Sequence, residues 1–143
     1  MSKSAGNFYR LHDLESKHAE KKELLYRAFR MMCLQNRYRE NFNFTGDRVE
    51  SDMATVISFD NTLKRIKTYV PRNTKVRREF RDTIHESMQD FVTALENDFD
   101  TVVALTSVFE FISIINRDID SGDLTLKEVN SVIEMLKSWD MVM

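Results

Sequence analysis

In 143 residues this chain has one proline, Pro71, and three glycines. That scarcity constrains the fold more than any other feature, because turn-rich sheets need such residues to reverse the chain, whereas helices are broken by them. Apolar residues recur at steps of three and four along most of the length, the period of a helix with one buried face. At 42% hydrophobic and 31% charged residues, the composition is that of an ordinary globular protein. A single domain of this size buries on the order of two-thirds of the surface its unfolded chain exposes. The expectation is an all-α fold, an antiparallel helical bundle of about five helices.

The periodicity places those helices. Leu11 to Lys17 is predicted as a short helix, followed by a longer one over about 19–36 whose stripe is Leu25, Ala28, Phe29 and Met32. Cys33 lies beside that stripe and is read as a core thiol. A connection punctuated by Gly46 leads to a helix over about 47–69, through Val49, Met53, Val56, Leu63 and Ile66, which Pro71 ends. Asn73 or Thr74 then caps a helix with Phe80, Ile84, Met88, Phe91, Val92 and Leu95 on one side. Asp100 or Thr101 caps the next, apolar on most of its circumference through Val108, Phe109, Ile112, Ile115 and Ile119 and therefore the most buried. After Ser121-Gly122-Asp123, Thr125 with Glu128 three residues on forms a capping box for a last helix through Val129, Val132, Leu136 and Trp139.

A net charge of −2 conceals an asymmetry, since residues 1–85 carry +7 and residues 86–143 carry −9. An anionic partner would dock on the first part. Arg72, Lys75, Arg77, Arg78 and Arg81 crowd into one short segment, and those in the helix fall on the side away from Phe80 and Ile84, as a solvent-facing ridge for phosphates. Arg27, Arg30, Arg37 and Arg39 are a second set. Tyr9, Tyr38 and Tyr69 border basic residues, where a ring serves either packing or base stacking. His12, His18 and His85 are scattered with no cysteine partner, which argues against a metal site. Asp98 and Asp100 flank Phe99 at a helix start and are read as caps. No apolar run of ~20 residues suggests a membrane span, and one cysteine suits a reducing, cytoplasmic setting.

The first residues carry the most specific chemistry. Ser2-Lys3-Ser4-Ala5-Gly6-Asn7 combines small residues, whose backbone N–H groups can approach an anion, with one mobile ammonium; Ser-Lys-Ser alone reads rather as a polar N-terminus. The longer string Met1-Ser-Lys-Ser-x-Gly-Asn-Phe8 resembles the KMSKS loop of class I aminoacyl-tRNA synthetases. Further segments resemble the cysteinyl-tRNA synthetases in order and spacing. Arg27-Ala28-Phe29-Arg30 stands where that family has a DALR signature, Arg37-Tyr38-Arg39 before Phe42-Asn43-Phe44-Thr45 resembles its HYR…NFS segment, and Asn97-Asp98-Phe99-Asp100-Thr101 resembles its DDFNT segment. Ala5, Arg27, Arg37 and Val102 depart from the family's usual residues.

The resemblance implies a C-terminal part of such a synthetase, with residues 1–45 as the KMSKS loop and a stem-contact junction and residues 46–143 as a helical bundle of the tRNA- or anticodon-binding type. It implies that Lys3, with Ser2, Ser4 and Gly6, handles the phosphates of ATP, that the whole enzyme joins cysteine to tRNA-Cys, and that this piece alone is inactive. The remainder of the synthetase, including the nucleotide-binding catalytic domain and any zinc, would lie upstream. The alternative is a standalone helical module binding RNA or protein without catalysis.

Overall fold

A computed structural model describes residues 11–42, 44–74 and 77–142. Six α-helices account for most of them: α1 (Leu11–Lys17), α2 (Lys22–Leu34), α3 (Gly46–Thr68), α4 (Arg78–Glu96), α5 (Thr101–Ser121) and α6 (Leu126–Val142), with a 3-10 turn at Ala19–Lys21 ahead of α2. No strand occurs among the described residues. The chain is the all-α helical bundle that its periodicity predicts, and the KMSKS-like segment lies outside the described residues.

Local chemistry sets most of the boundaries. Thr45 caps α3 by accepting the Arg48 N–H at 3.3 Å, and Asp100 caps α5 by accepting the Val103 N–H at 3.2 Å. α3 stops at Thr68 because Tyr69 is already extended, at φ −67° and ψ 130°, two residues before Pro71. Gly122 ends α5 in the left-handed conformation, φ 76°, its N–H reaching back to the carbonyls of Asp118 and Ile119. α4 departs from expectation. It begins at Arg78 rather than beside Asn73 or Thr74, and its N-cap, Arg77, provides no side-chain cap.

Two apolar cores form, and α3 runs through both. Leu14, Leu25, Ala28, Met32 and Phe44 pack with Val49, Met53 and Val56 from the first half of α3. Ile66, near its other end, packs with Phe80, Phe91, Val108, Phe111, Ile115, Val132 and Trp139 of α4, α5 and α6. As the apolar circumference of α5 suggested, it sits deep, with seven buried residues. Phe59 stacks on Phe109 at 5.2 Å, and Phe111 meets Trp139 edge to face at 5.4 Å. Beside these contacts Arg65 of α3 binds Asn116 at 2.6 Å and Asp120 of α5. Cys33 corrects the sequence reading: it faces solvent, because the turn that α2 makes between Met32 and Leu34 carries it off the stripe. Partial desolvation by its neighbours pushes its thiol up, away from reactivity.

The second core is closed by a buried carboxylate. Glu128 is 2% exposed; its Oε2 accepts the Thr125 N–H at 2.7 Å while Thr125 Oγ1 accepts the Glu128 N–H at 3.3 Å, completing the predicted capping box. Its other oxygen accepts the backbone N–H of Arg77 at 3.0 Å, and the Arg77 guanidinium binds Asp118 at 2.7 Å. Burial pushes the Glu128 carboxyl up, but N–H donation from Thr125 and Arg77, with the Arg77 charge, outweighs burial and holds it below the usual glutamate value.

Replacing Glu128 with alanine leaves the Arg77 backbone N–H without its acceptor and uncaps α6, so urea denaturation is expected to register a loss of about 3 kcal/mol. Because the folded-state pKa is depressed, the stabilisation is present at neutral pH and is lost as pH falls from the ordinary glutamate range through the lowered value. Glu128→Gln should flatten that acid limb; an unchanged limb would show that other carboxylates control it. Nothing lies within 4 Å of a Cβ built on Gly122, so Gly122→Ala should cost only its backbone strain, about 1 kcal/mol.

Candidate nucleic-acid interface

The arginines singled out by sequence fall into two groups once their partners are known. Arg27 makes two parallel hydrogen bonds to Asp60 of α3, at 2.8 and 2.7 Å, and that carboxylate in turn is held below its ordinary value, chiefly by those bonds. Arg77, placed on the solvent-facing ridge by helical spacing, is turned inward instead. It stands at the N-cap, outside the helical turn that orients Arg78 and Arg81, and lies 4.9 Å over the Phe80 ring with Asp118 and Glu128 as partners. Arg30, Arg72, Arg78 and Arg81 are exposed and form no ion pair among the described residues. Lys75 lies outside the described residues, as do Ser2, Lys3, Ser4 and Gly6.

Two segments far apart in sequence converge on one cleft. The α2–α3 connection brings Arg37, Tyr38, Arg39 and Glu40 against Asn97, Asp98, Phe99 and Asp100 in the α4–α5 turn, around a volume of about 370 Å³. Tyr38 donates its hydroxyl to Asp98 at 2.8 Å, a bond that raises the phenol pKa, and Arg39 Nε donates to the same hydroxyl at 2.8 Å. The Arg39 guanidinium lies 5.1 Å from the Tyr38 ring centre, and Arg37 pairs with Asp100 at 3.2 Å. Asp98 and Phe99 both hold left-handed backbone, φ 54° and 57°. Phe99 is 59% exposed. A bulky residue at positive φ with little burial in return is a strained arrangement.

Asp100 is a cap, as expected, but Asp98 is not: it is the acceptor that ties the two segments together. Tyr38 keeps an exposed ring, whereas Tyr69 packs against the second core with its hydroxyl buried and unpartnered, so of these two only Tyr38 presents a ring to solvent. Tyr9 lies outside the described residues. A second cleft, also of about 370 Å³, opens between the starts of α4 and α6, where Arg78 and Arg81 stand with Lys127 above Phe80 and Ile84. Sequence analysis missed Lys127, which lies in the acidic half of the chain; only the packing of α6 on α4 brings it to the arginines. No group of three or more His, Cys, Asp or Glu side chains suited to a metal occurs among the described residues. No helix there is long and apolar enough to cross a membrane.

Comparison with known proteins shows what this chain is similar to. Over 143 residues, the whole of this chain, it is 29% identical to the cysteine–tRNA ligase of Chlamydia abortus. It is 30% identical over 142 residues to that of Carboxydothermus hydrogenoformans and 28% identical over 137 residues to that of Chlamydia caviae, covering 99% and 96% of this chain. The chain is a relative of the cysteine–tRNA ligases. It spans less than a third of the length of these relatives, 28% to 29%. Residues 90–143 match the DALR domain, which takes in the Asn97–Thr101 turn, α5 and α6. The segment Arg27–Arg30, read as a DALR signature, lies ahead of that match.

The strain at Phe99 yields a stability prediction. Phe99→Asn, which admits left-handed backbone, should leave the domain as stable or raise it by up to about 1 kcal/mol, whereas a packed phenylalanine loses about 3–5 kcal/mol on truncation. A thermal melt of the two chains distinguishes the outcomes, and a large loss would mean that the ring is packed.

Proposed function

We propose that this chain is a tRNA-holding part of a cysteine–tRNA ligase, an enzyme that activates cysteine with ATP and transfers it to tRNA-Cys. The observation that carries the reading is the alignment of 96% to 100% of the chain with such ligases. By this reading residues 1–45 form the KMSKS loop and stem-contact junction, and residues 46–143 the bundle on which tRNA rests. Lys3 would stabilise the phosphates of ATP, with Ser2, Ser4 and Gly6 letting the backbone approach them. The partners are tRNA-Cys and the nucleotide-binding remainder of a class I synthetase, working in the cytoplasm; zinc, where the whole enzyme holds it, belongs to that remainder.

The role of the described residues is positioning. The guanidinium groups of Arg30, Arg72, Arg78 and Arg81, which form no ion pair among the described residues, are available to phosphates. Arg27 and Arg77 would have to surrender carboxylate partners to do the same, and Arg37 and Arg39 share theirs with the Asn97–Asp100 turn.

Filter binding tests the reading directly. The chain should retain a tRNA-Cys transcript at low salt, with affinity falling as salt rises; no retention at about 50 mM salt would overturn the tRNA role. In the same preparation cysteine-dependent exchange of pyrophosphate into ATP should be absent, since the cysteine pocket and most of the ATP site are assigned to the remainder of the enzyme. Exchange by these residues alone would mean that the chemistry has been misplaced.

A further inference from the structure

We propose that the cleft between the starts of α4 and α6 seats a backbone phosphate of bound RNA, held by Arg78, Arg81 and Lys127. The proposal rests on the tRNA reading above and adds Lys127, which neither sequence pattern nor kinship singles out.

The charges are the first argument. Arg78 and Arg81 are three residues apart and so share one face of α4, which meets Lys127 of α6 across the cleft. All three are exposed, and none forms an ion pair among the described residues. The acids at hand do not neutralise them. Glu128 lines the cleft but is engaged by Thr125 and Arg77, and Glu79 and Asp82 form no ion pair among the described residues. Lys127 is one of only three basic residues after position 85, so its arrival beside two arginines runs against the charge of its own half.

Helix polarity is the second argument. Arg78 and Arg81 occupy the first turn or so of α4, and Lys127 the first turn of α6. Both are positive ends, where cations are unfavourable and anions are stabilised. Glu128 already binds the backbone N–H groups of Arg77 and Thr125 at these two ends, but three exposed cations outnumber that one buried carboxylate and leave positive potential on the solvent side of the cleft. An anion in the cleft would relieve all of it together.

The walls suit a phosphodiester. Phe80 is 4% exposed and Ile84 is half-buried, so the apolar lining offers no competing acceptor and can lie against a ribose. The Ser131 hydroxyl donates to the Lys127 carbonyl at 3.1 Å, so it fixes the α6 turn beneath Lys127 rather than supplying a donor. Charge complementarity, not shape, does the selecting, and the seat carries no base preference.

The test is filter binding of tRNA-Cys by the full chain at several salt concentrations. It compares wild type with Arg81→Ala, Lys127→Ala and their double variant, with Lys137→Ala as a control because that exposed lysine lies further along α6. Each cleft substitution should lower the slope of log K against log salt by about 0.7–0.9 and weaken binding about five- to eightfold near 0.1 M salt, with the double variant losing both contacts and Lys137→Ala unchanged. Unaltered circular dichroism guards against misfolding. Should wild type bind tRNA while Lys127→Ala matches Lys137→Ala in slope, the cleft is not the seat although the tRNA reading stands; should wild type not bind at all, both fall. A poly-glutamate peptide that binds wild type but not the double variant, at matched ionic strength, while tRNA binds both equally, would mark the cleft as a seat for an acidic protein and overturn the RNA proposal.

Discussion

The second core depends on a carboxylate that water does not reach. Glu128 holds the start of α6 through the capping box, the approach to α4 through the Arg77 N–H, and, through the Arg77 guanidinium and Asp118, the end of α5. Three helix termini therefore meet at one ionic cluster. Such a cluster is costly to bury and costlier to leave half made, so it favours the arrangement in which the carboxylates of Glu128 and Asp118 both meet Arg77, although the Arg77 Nε itself stays buried without a hydrogen bond. Apolar packing of Phe80, Phe91, Phe111 and Trp139 supplies attraction but little direction; the cluster supplies the register.

That division between local and distant interactions explains what was legible in advance. The Thr125–Glu128 box, the Asp100 cap, the end of α3 before Pro71 and the stripe of α2 all depend on residues within four or five positions of one another, and each appeared in the sequence. Arg77 failed for the opposite reason. Its spacing from Arg81 put it on the outer face, but its partners lie 41 and 51 residues away, and two long-range carboxylates outweigh position on a helix that begins one residue later. Phe99 is aimed outward by the left-handed backbone of its own turn. The cleft between Arg37–Glu40 and Asn97–Asp100 was visible as two motifs but not as a place.

The cations follow the same logic. Where a guanidinium joins helices, as at Arg27 with Asp60 or Arg65 with Asn116 and Asp120, its charge is committed to architecture. Where it meets no acid among the described residues, as at Arg78 and Arg81, the charge is available for another molecule. Proximity in sequence did not separate the two kinds; the identity of the neighbour across the helix interface did. The positive surface left over is smaller than the composition of residues 1–85 suggests.

α3 belongs to both cores, and that gives it a mechanical character. At 23 residues it is a rod about 34 Å long, clasped by Val49, Met53 and Val56 near one end and by Ile66 near the other. A rod gripped at both ends acts as a lever: tilting it by about 10° about its midpoint carries each tip about 3 Å. The Arg65 bonds and the Phe59–Phe109 stack sit beyond its centre and tie its second half to α5.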